Sequence, residues 1–338
     1  MTTDYVLFIH GVNTRDEGEK PEYADKLFGL IKEKVNNRAS QIKLKKIPLY
    51  WGKVNEHSEN ALLRKLKKSP DWNSLWFREF REKQILQFAG DAALYISRFV
   101  GSQVITELAR QAQEILQKAH PDDRLHLVTH SWGTVILFDV LFAARWDQPD
   151  IPAYATVQAI RNAVYGIEPN VGNGIRLGSV HTMGSPVALF SLIDVIGDGQ
   201  TKSAVSSKIN THDITPRLGE FLAKLYELLH RKLLWQNFMH PGDPVAYPLA
   251  TLIPDMVDQE NKYLDIQDVV THNTELLDPR AEFFELINKL NKVDFIKDVV
   301  SLADLLFGGE AHSSYWQSEQ VAERIANSIC HVAKQPVA

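Results

Sequence analysis

Short apolar runs punctuate the chain, and the stretches between them carry a helical period. Tyr5-Val6-Leu7-Phe8-Ile9 is continuously apolar over the length of a strand and predicts a buried one. Between residues 21 and 36 the period changes. Tyr23, Leu27, Leu30, Ile31 and Val35 recur at helical spacing, and Pro21 suits a first helical turn. Residues 41–51 then alternate through Ile42, Leu44, Ile47 and Leu49, the pattern of a strand. Strand, helix, strand is the unit of a parallel sheet. Further strands are predicted from Arg124 and over residues 174–183 and 233–239. Helices are predicted over residues 102–119, near 219–231, and over 318–333. Residues 148–173, with prolines early and glycines late, read as a surface excursion.

Two segments exceed ordinary connections. About seventy residues separate the second strand from the one beginning at Arg124, far more than a normal loop. Within them, residues 60–100 hold Leu62, Leu66, Trp72, Trp76, Phe77 and Phe80, with Arg64, Lys65, Lys67 and Lys68 near the start. The second segment, residues 281–307, is rich in Phe, Leu, Ile and Val. Residues 55–100 and 281–307 are therefore expected to be helical insertions into one α/β domain spanning 1–338.

Composition narrows the partners. Hydrophobic residues make up 44% and charged residues 23%, which suits a soluble domain with a sizeable core. A net charge of −5 is too mild to argue for nucleic acid. The single cysteine, Cys330, cannot form an intramolecular disulfide, which favours a reducing, cytoplasmic setting. Residues 1–4 carry no basic leader, and no apolar stretch is long enough to span a bilayer. The basic, aromatic face of 60–100 leaves peripheral contact with lipid open. No His/Cys cluster has metal-ligand spacing, and the glycines at 172, 174 and 178 precede a strand, so no metal or nucleotide cofactor is expected.

The chemistry lies in Thr129-His130-Ser131-Trp132-Gly133, between the apolar runs 125–128 and 135–138. A buried strand, a sharp turn with serine at its tip, and a buried helix are implied. That elbow pushes the hydroxyl out of the sheet beside the first helical amides. A serine there is also a common helix cap. Four more motifs follow in order. Tyr5–Ile9 runs into His10-Gly11-Val12-Asn13; His181-Thr182-Met183-Gly184-Ser185-Pro186 ends a strand; Trp235 to Val245 ends in Gly242-Asp243-Pro244; His312-Ser313-Ser314-Tyr315-Trp316 precedes the last helix.

Taken together, these motifs resemble the α/β-hydrolases of the lipase/esterase type over nearly the whole chain. Thr129 stands where the family's G-x-S-x-G motif has its first glycine. The resemblance implies a mostly parallel, shortened central sheet flanked by helices, with helical cap insertions. The sheet is shortened because the family's early strands have no room before Tyr5.

It further implies Ser131 as nucleophile, Asp243 as acid and His312 as general base, with the Val12 and Trp132 amides as oxyanion donors. Asp194 and Asp198 are rivals for the acid, and His272 for the base. His10 is expected to support its loop. The implied activity is cleavage of carboxylic esters, with a lipid-like or other apolar acyl group, through an acyl-enzyme. Amides, thioesters and acyl transfer use the same intermediate, and a non-catalytic module could keep the fold.

Overall fold

The computed structural model describes residues 2–12, 21–75, 95–120, 122–167, 172–190, 212–271 and 311–335, with isolated positions at 78, 82 and 90. Six strands form one sheet: β1 (Thr3–Ile9), β2 (Lys43–Leu49), β3 (Arg124–His130), β4 (Arg176–Met183), β5 (Leu233–Met239) and β6 (Leu264–Val270). They lie in the order β2-β1-β3-β4-β5-β6, every neighbouring pair parallel. The main helices are α1 (Asp25–Arg38), α2 (Gly52–Leu66), α3 (Arg98–Leu116), α4 (Trp132–Phe142), α5 (Tyr154–Asn162), α6 (Thr215–Leu229), α7 (Leu252–Val257) and α8 (Glu319–Ala333).

Strand order decides which face each helix covers. The chain steps from β1 outward to β2, then reverses to β3 and beyond. Right-handed crossovers in opposite directions put their helices on opposite faces. One face packs Val6, Phe8 and Val128 against α1 and α8, through Leu27, Ile31, Ile325 and Ile329. The other packs Tyr5, Leu7 and Leu127 against α3, α4 and α6, through Leu108, Ile136 and Leu222. The apolar run at Tyr5–Ile9 is continuous because its alternate residues feed two cores. A parallel sheet between helix layers is the expected architecture, with the serine elbow directly after β3.

Element boundaries differ from the sequence expectations where local signals compete. Helix α1 begins at Asp25, so Pro21 lies before it and not in its first turn. Helix α3 starts four residues earlier than the periodicity suggests. β6 is a sixth strand, beyond the five that the sequence pattern predicts. Residues 148–173 are not merely a surface excursion, because α5 lies inside them with Val157 and Arg161 buried. The Arg161 guanidinium is satisfied there by the Val140 and Ala143 carbonyls and by Asp147. β2 sits at the sheet edge, which tolerates Pro48 and half-buried lysines.

Of the 55–100 segment, α2 and a 3-10 turn at Pro70–Ser74 are described. Trp76, Phe77, Phe80 and the whole of 281–307 lie outside the described residues. No helix among the described residues is long and apolar enough to cross a membrane.

Candidate active site

Strand order reverses between β1 and β3, and parallel sheets bind ligands beyond the carboxyl ends of their strands at such a reversal. β1 runs into His10-Gly11-Val12 and β3 runs into Ser131. Ser131 has φ +53° and ψ −132°, a conformation L-residues rarely adopt. Its backbone is held on both sides. Its N–H donates to the Met183 carbonyl (2.9 Å), and its own carbonyl accepts from Thr134 N (3.0 Å). It occupies the N-cap position of α4, yet its side chain caps nothing.

The serine does not protrude as the elbow motif suggests: it is 1% exposed. The reason is the neighbouring loop. A Cβ on Gly11 would collide with Ser131 Cβ and lie 2.8 Å from its Oγ. A Cβ on Gly133 would collide with the His10 carbonyl. Loop and elbow therefore interlock through two glycines. Thr129 is accommodated inside the elbow, its hydroxyl paired with that of Thr134 at 2.8 Å.

Beyond β5 the chain turns through His240-Pro241-Gly242 to the buried Asp243. His312 lies in a helical turn that continues into a 3-10 turn at Ser314–Gln317, just before α8. A carboxylate only accepts, so His312 Nδ1 donates to Asp243, at 2.9 Å from both Oδ1 and Oδ2. Tyr315 OH also donates to Asp243 Oδ2 (2.7 Å), and Val245 N donates to Oδ1 (3.0 Å). The tyrosine oxygen in turn accepts from His240 N at 2.8 Å. Gly184, at φ +53°, makes room for this cluster: a Cβ there would meet Asp243 Oδ2 at 2.5 Å and His312 Nδ1 at 2.9 Å.

Two chain connections draw Ser131 and His312 into one neighbourhood. Met183, which takes the Ser131 amide, precedes Gly184, which abuts the His312 ring. His130, which precedes the serine, has its ring 4.5 Å from that of His312, centroid to centroid. His130 Nε2 donates to the His312 carbonyl at 2.6 Å. Ser131 Oγ and His312 Nε2 are both buried and neither has a hydrogen-bond partner. They do not bond each other in this conformation; catalytic hydrogen bonds are often long before substrate arrives.

Burial by itself would raise the pKa of Asp243. The hydrogen bond and charge of His312, with the Tyr315 hydroxyl and the Val245 amide, outweigh it and hold Asp243 below the usual carboxylate range. The same carboxylate, added to burial, pushes the Tyr315 phenol far up, so it stays a donor. Burial, with the neighbouring His312, lowers His130 to about 3, so it remains neutral at neutral pH. His130 thus holds the histidine turn and is no proton acceptor near pH 7.

His10 supports its loop, as expected. Its Nδ1 donates to the Gly11 carbonyl (2.6 Å), its Nε2 accepts from Trp51 N (3.2 Å), and its ring stacks on Trp51. Val12 ends the described part of that loop. Trp132 opens α4, so its amide sits at the positive end of the helix dipole. Its side chain is half-buried against the core on the α4 face of the sheet. The far end of α4 is anchored by buried Asp139, which accepts from Tyr95, Arg145, Trp146 and His212.

A second Asp–His–Ser row lies within the sheet. His181 donates to Ser179 (2.8 Å), Ser179 to His126 (2.7 Å), and His126 to Asp4 (2.9 Å), whose carboxylate also takes both arms of Arg124. Every member but Arg124 is wholly buried. No substrate reaches it, and it serves as polar mortar between three strands. Among the described residues no His/Cys/Asp/Glu group is arranged to hold a metal. Asp194, Asp198 and His272 lie outside the described residues.

Sequence reasoning assigned no part to Tyr315. The signal for it was the His312-x-x-Tyr315 spacing, which a helical turn brings onto one side.

No protein-family profile matches the chain, and no curated protein matches it significantly. Among solved structures it is similar to Est1E from Butyrivibrio proteoclasticus, at 12% identity and a TM-score of 0.33, over 84% of this chain and 88% of that one. It is also similar to a structure described as ferulic acid bound to Est1E from the same organism, at 12% identity and a TM-score of 0.30, over 84% and 89%. A likeness that loose identifies neither substrate nor mechanism.

Proposed function

We propose that this protein is a serine hydrolase that cleaves carboxylic esters through an acyl-enzyme on Ser131. One juxtaposition carries the reading. A strained elbow holds a serine whose Oγ is buried and unpartnered, next to a histidine whose Nδ1 is fixed by a buried carboxylate and whose Nε2 is likewise unpartnered. Those are the two atoms that a proton must pass between.

In the proposed reaction Ser131 Oγ attacks the ester carbonyl while its proton moves to His312 Nε2. Asp243 holds Nδ1–H and stabilises the imidazolium. The Val12 and Trp132 amides face the oxyanion. Collapse expels the alcohol, which takes the proton from His312. Water, deprotonated by His312, then attacks the acyl-serine, and His312 returns the proton to Ser131 Oγ as the acid leaves. Tyr315 is a positioning residue that keeps Asp243 ionised and oriented.

An apolar acyl group is part of the proposal, on the apolar content of 60–100 and 281–307. Peripheral contact with lipid is another. Leu62 and Leu66, one helical turn apart on α2, are 45% and 38% exposed beside exposed Arg64, Lys65 and Lys68. Cytoplasmic residence belongs to the same reading, on the single cysteine.

Fluorophosphonate labelling tests the core. The wild-type chain should take one label and Ser131→Ala none; a labelled Ser131→Ala would end the assignment. A series of p-nitrophenyl esters of increasing chain length tests the acyl preference. Sedimentation with anionic vesicles, comparing wild type with Leu62→Ser/Leu66→Ser, tests the lipid contact.

A further inference from the structure

His130 is buried beside the nucleophile, and no step of the proposed reaction uses it. It closes β3, and strand alternation puts its side chain on the same face as Val128, the face covered by α1 and α8. The His312 turn leads into α8. Residue 130 therefore belongs to the elbow by its main chain and reaches the base turn by its side chain.

The contact is the 2.6 Å hydrogen bond from His130 Nε2 to the His312 carbonyl, across 182 residues of sequence. A carbonyl accepts and cannot donate, so Nε2 carries the proton. Nδ1 is left as a buried lone pair with no hydrogen-bond partner among the described residues. Burying such a nitrogen costs free energy, so a ring serving packing alone gains nothing from it. Burial and the neighbouring His312 keep a second proton off near neutral pH, so the donor stays in one tautomer. Neighbouring rings fix its aim: His312 at 4.5 Å, Trp316 at 5.4 Å and Tyr315 at 6.0 Å, centroid to centroid. Trp316 is backed in turn by Tyr23 (5.0 Å) and Phe8 (6.2 Å). Asp243 and His130 constrain different things. Asp243 takes Nδ1–H of His312 and sets how that ring is turned. The His130 bond sets where the main chain carrying the ring lies, relative to a residue whose Cα is about 3.8 Å from that of Ser131.

We propose that His130 is a positioning residue for ester cleavage: its Nε2–H tethers the main chain of the base to the nucleophile elbow and so sets the approach of His312 Nε2 to Ser131 Oγ. The role rests on the serine-hydrolase reading of Ser131 and His312. Misplacing a reacting group by about 1 Å costs about 100-fold in rate, so a lost tether should be read in kcat.

The test compares three variants of the full chain. His130→Gln carries an amide N–H at the reach of Nε2. His130→Asn carries one at the reach of Nδ1, short of the carbonyl. His130→Phe keeps a ring and has no donor. In the Asn and Phe variants, kcat on p-nitrophenyl butyrate and the rate of fluorophosphonate labelling should fall about 100-fold, with KM little changed. His130→Gln should recover most of that loss. The acid limb of the kcat/KM profile against pH should stay at its wild-type position in all three, since the tether places the base without changing its basicity. On the wild type, nitrogen-15 NMR should show His130 as the neutral Nε2–H tautomer, a measurement that needs no variant to fold. The proposal is overturned by a folded Asn or Phe variant with wild-type kcat, by equal kcat in the Gln and Asn variants, by a shifted acid limb, or by an Nδ1–H tautomer. A wild-type chain that takes no fluorophosphonate label instead removes the serine-hydrolase reading, and this role with it.

Discussion

Ser131 sits at φ +53°, and a non-glycine residue held there costs roughly 1–3 kcal/mol. That strain is separable from chemistry. Ser131→Ala should lose about 10⁴-fold or more in kcat yet keep the fold, since Ala retains the same strain. Ser131→Gly should be equally inactive but more stable than Ser131→Ala, because glycine adopts this backbone freely. Equal denaturation midpoints for the two would show that the elbow stores no strain. His312→Ala should be nearly as inactive as Ser131→Ala. Asp243→Asn should lower kcat with little change in KM, because it acts on the base and not on substrate. Tyr315→Phe removes a hydrogen bond that keeps Asp243 ionised. Its activity should therefore fall at a higher pH on the acid side than wild type does. An unshifted acid limb would leave Tyr315 a packing residue.

Between elements, glycines decide how closely loops approach. Gly133→Ala places a methyl against the His10 carbonyl, so the β1 loop and the α4 elbow must separate. Loss of both activity and stability is expected. Gly184→Ala, at positive φ, presses on Asp243 and His312 instead, and should reduce kcat more than it perturbs α4. The strand-borne histidines give the sheet a pH dependence. Burial lowers His181 and His130 from 6.5 to about 3. Unfolded chains take up these protons as pH falls through about 6.5, and folded chains do so only near 3. Stability is therefore full above that window and falls through it, by about 1.4 kcal/mol per pH unit for each histidine. Asp4 and Asp243, both lowered, add a further loss as pH drops through the carboxylate range. His181→Gln keeps an amide donor to Ser179 without a titrating group. Urea midpoints between pH 7 and pH 5 should decline less steeply in that variant. An identical slope would mean that His181 takes its proton in the folded sheet.

At the scale of the whole molecule, the site follows from one reversal of strand order between β1 and β3. Much of this was legible in the chain, because apolar runs bounded by Gly-rich turns mark strands whatever lies beside them. β5 was read to the residue, and the order serine, aspartate, histidine is a property of sequence alone. Local pattern also singled out Ser131, Asp243 and His312, since an elbow, a Gly-Asp-Pro turn and a histidine turn each carry a short-range signature. It could not show that Ser131 is roofed by Gly11, that Tyr315 reaches Asp243 from three residues past His312, or that α5 folds back to bury Arg161. Those depend on contacts between residues far apart in the chain, and hydrophobic period says which face is buried but not against what.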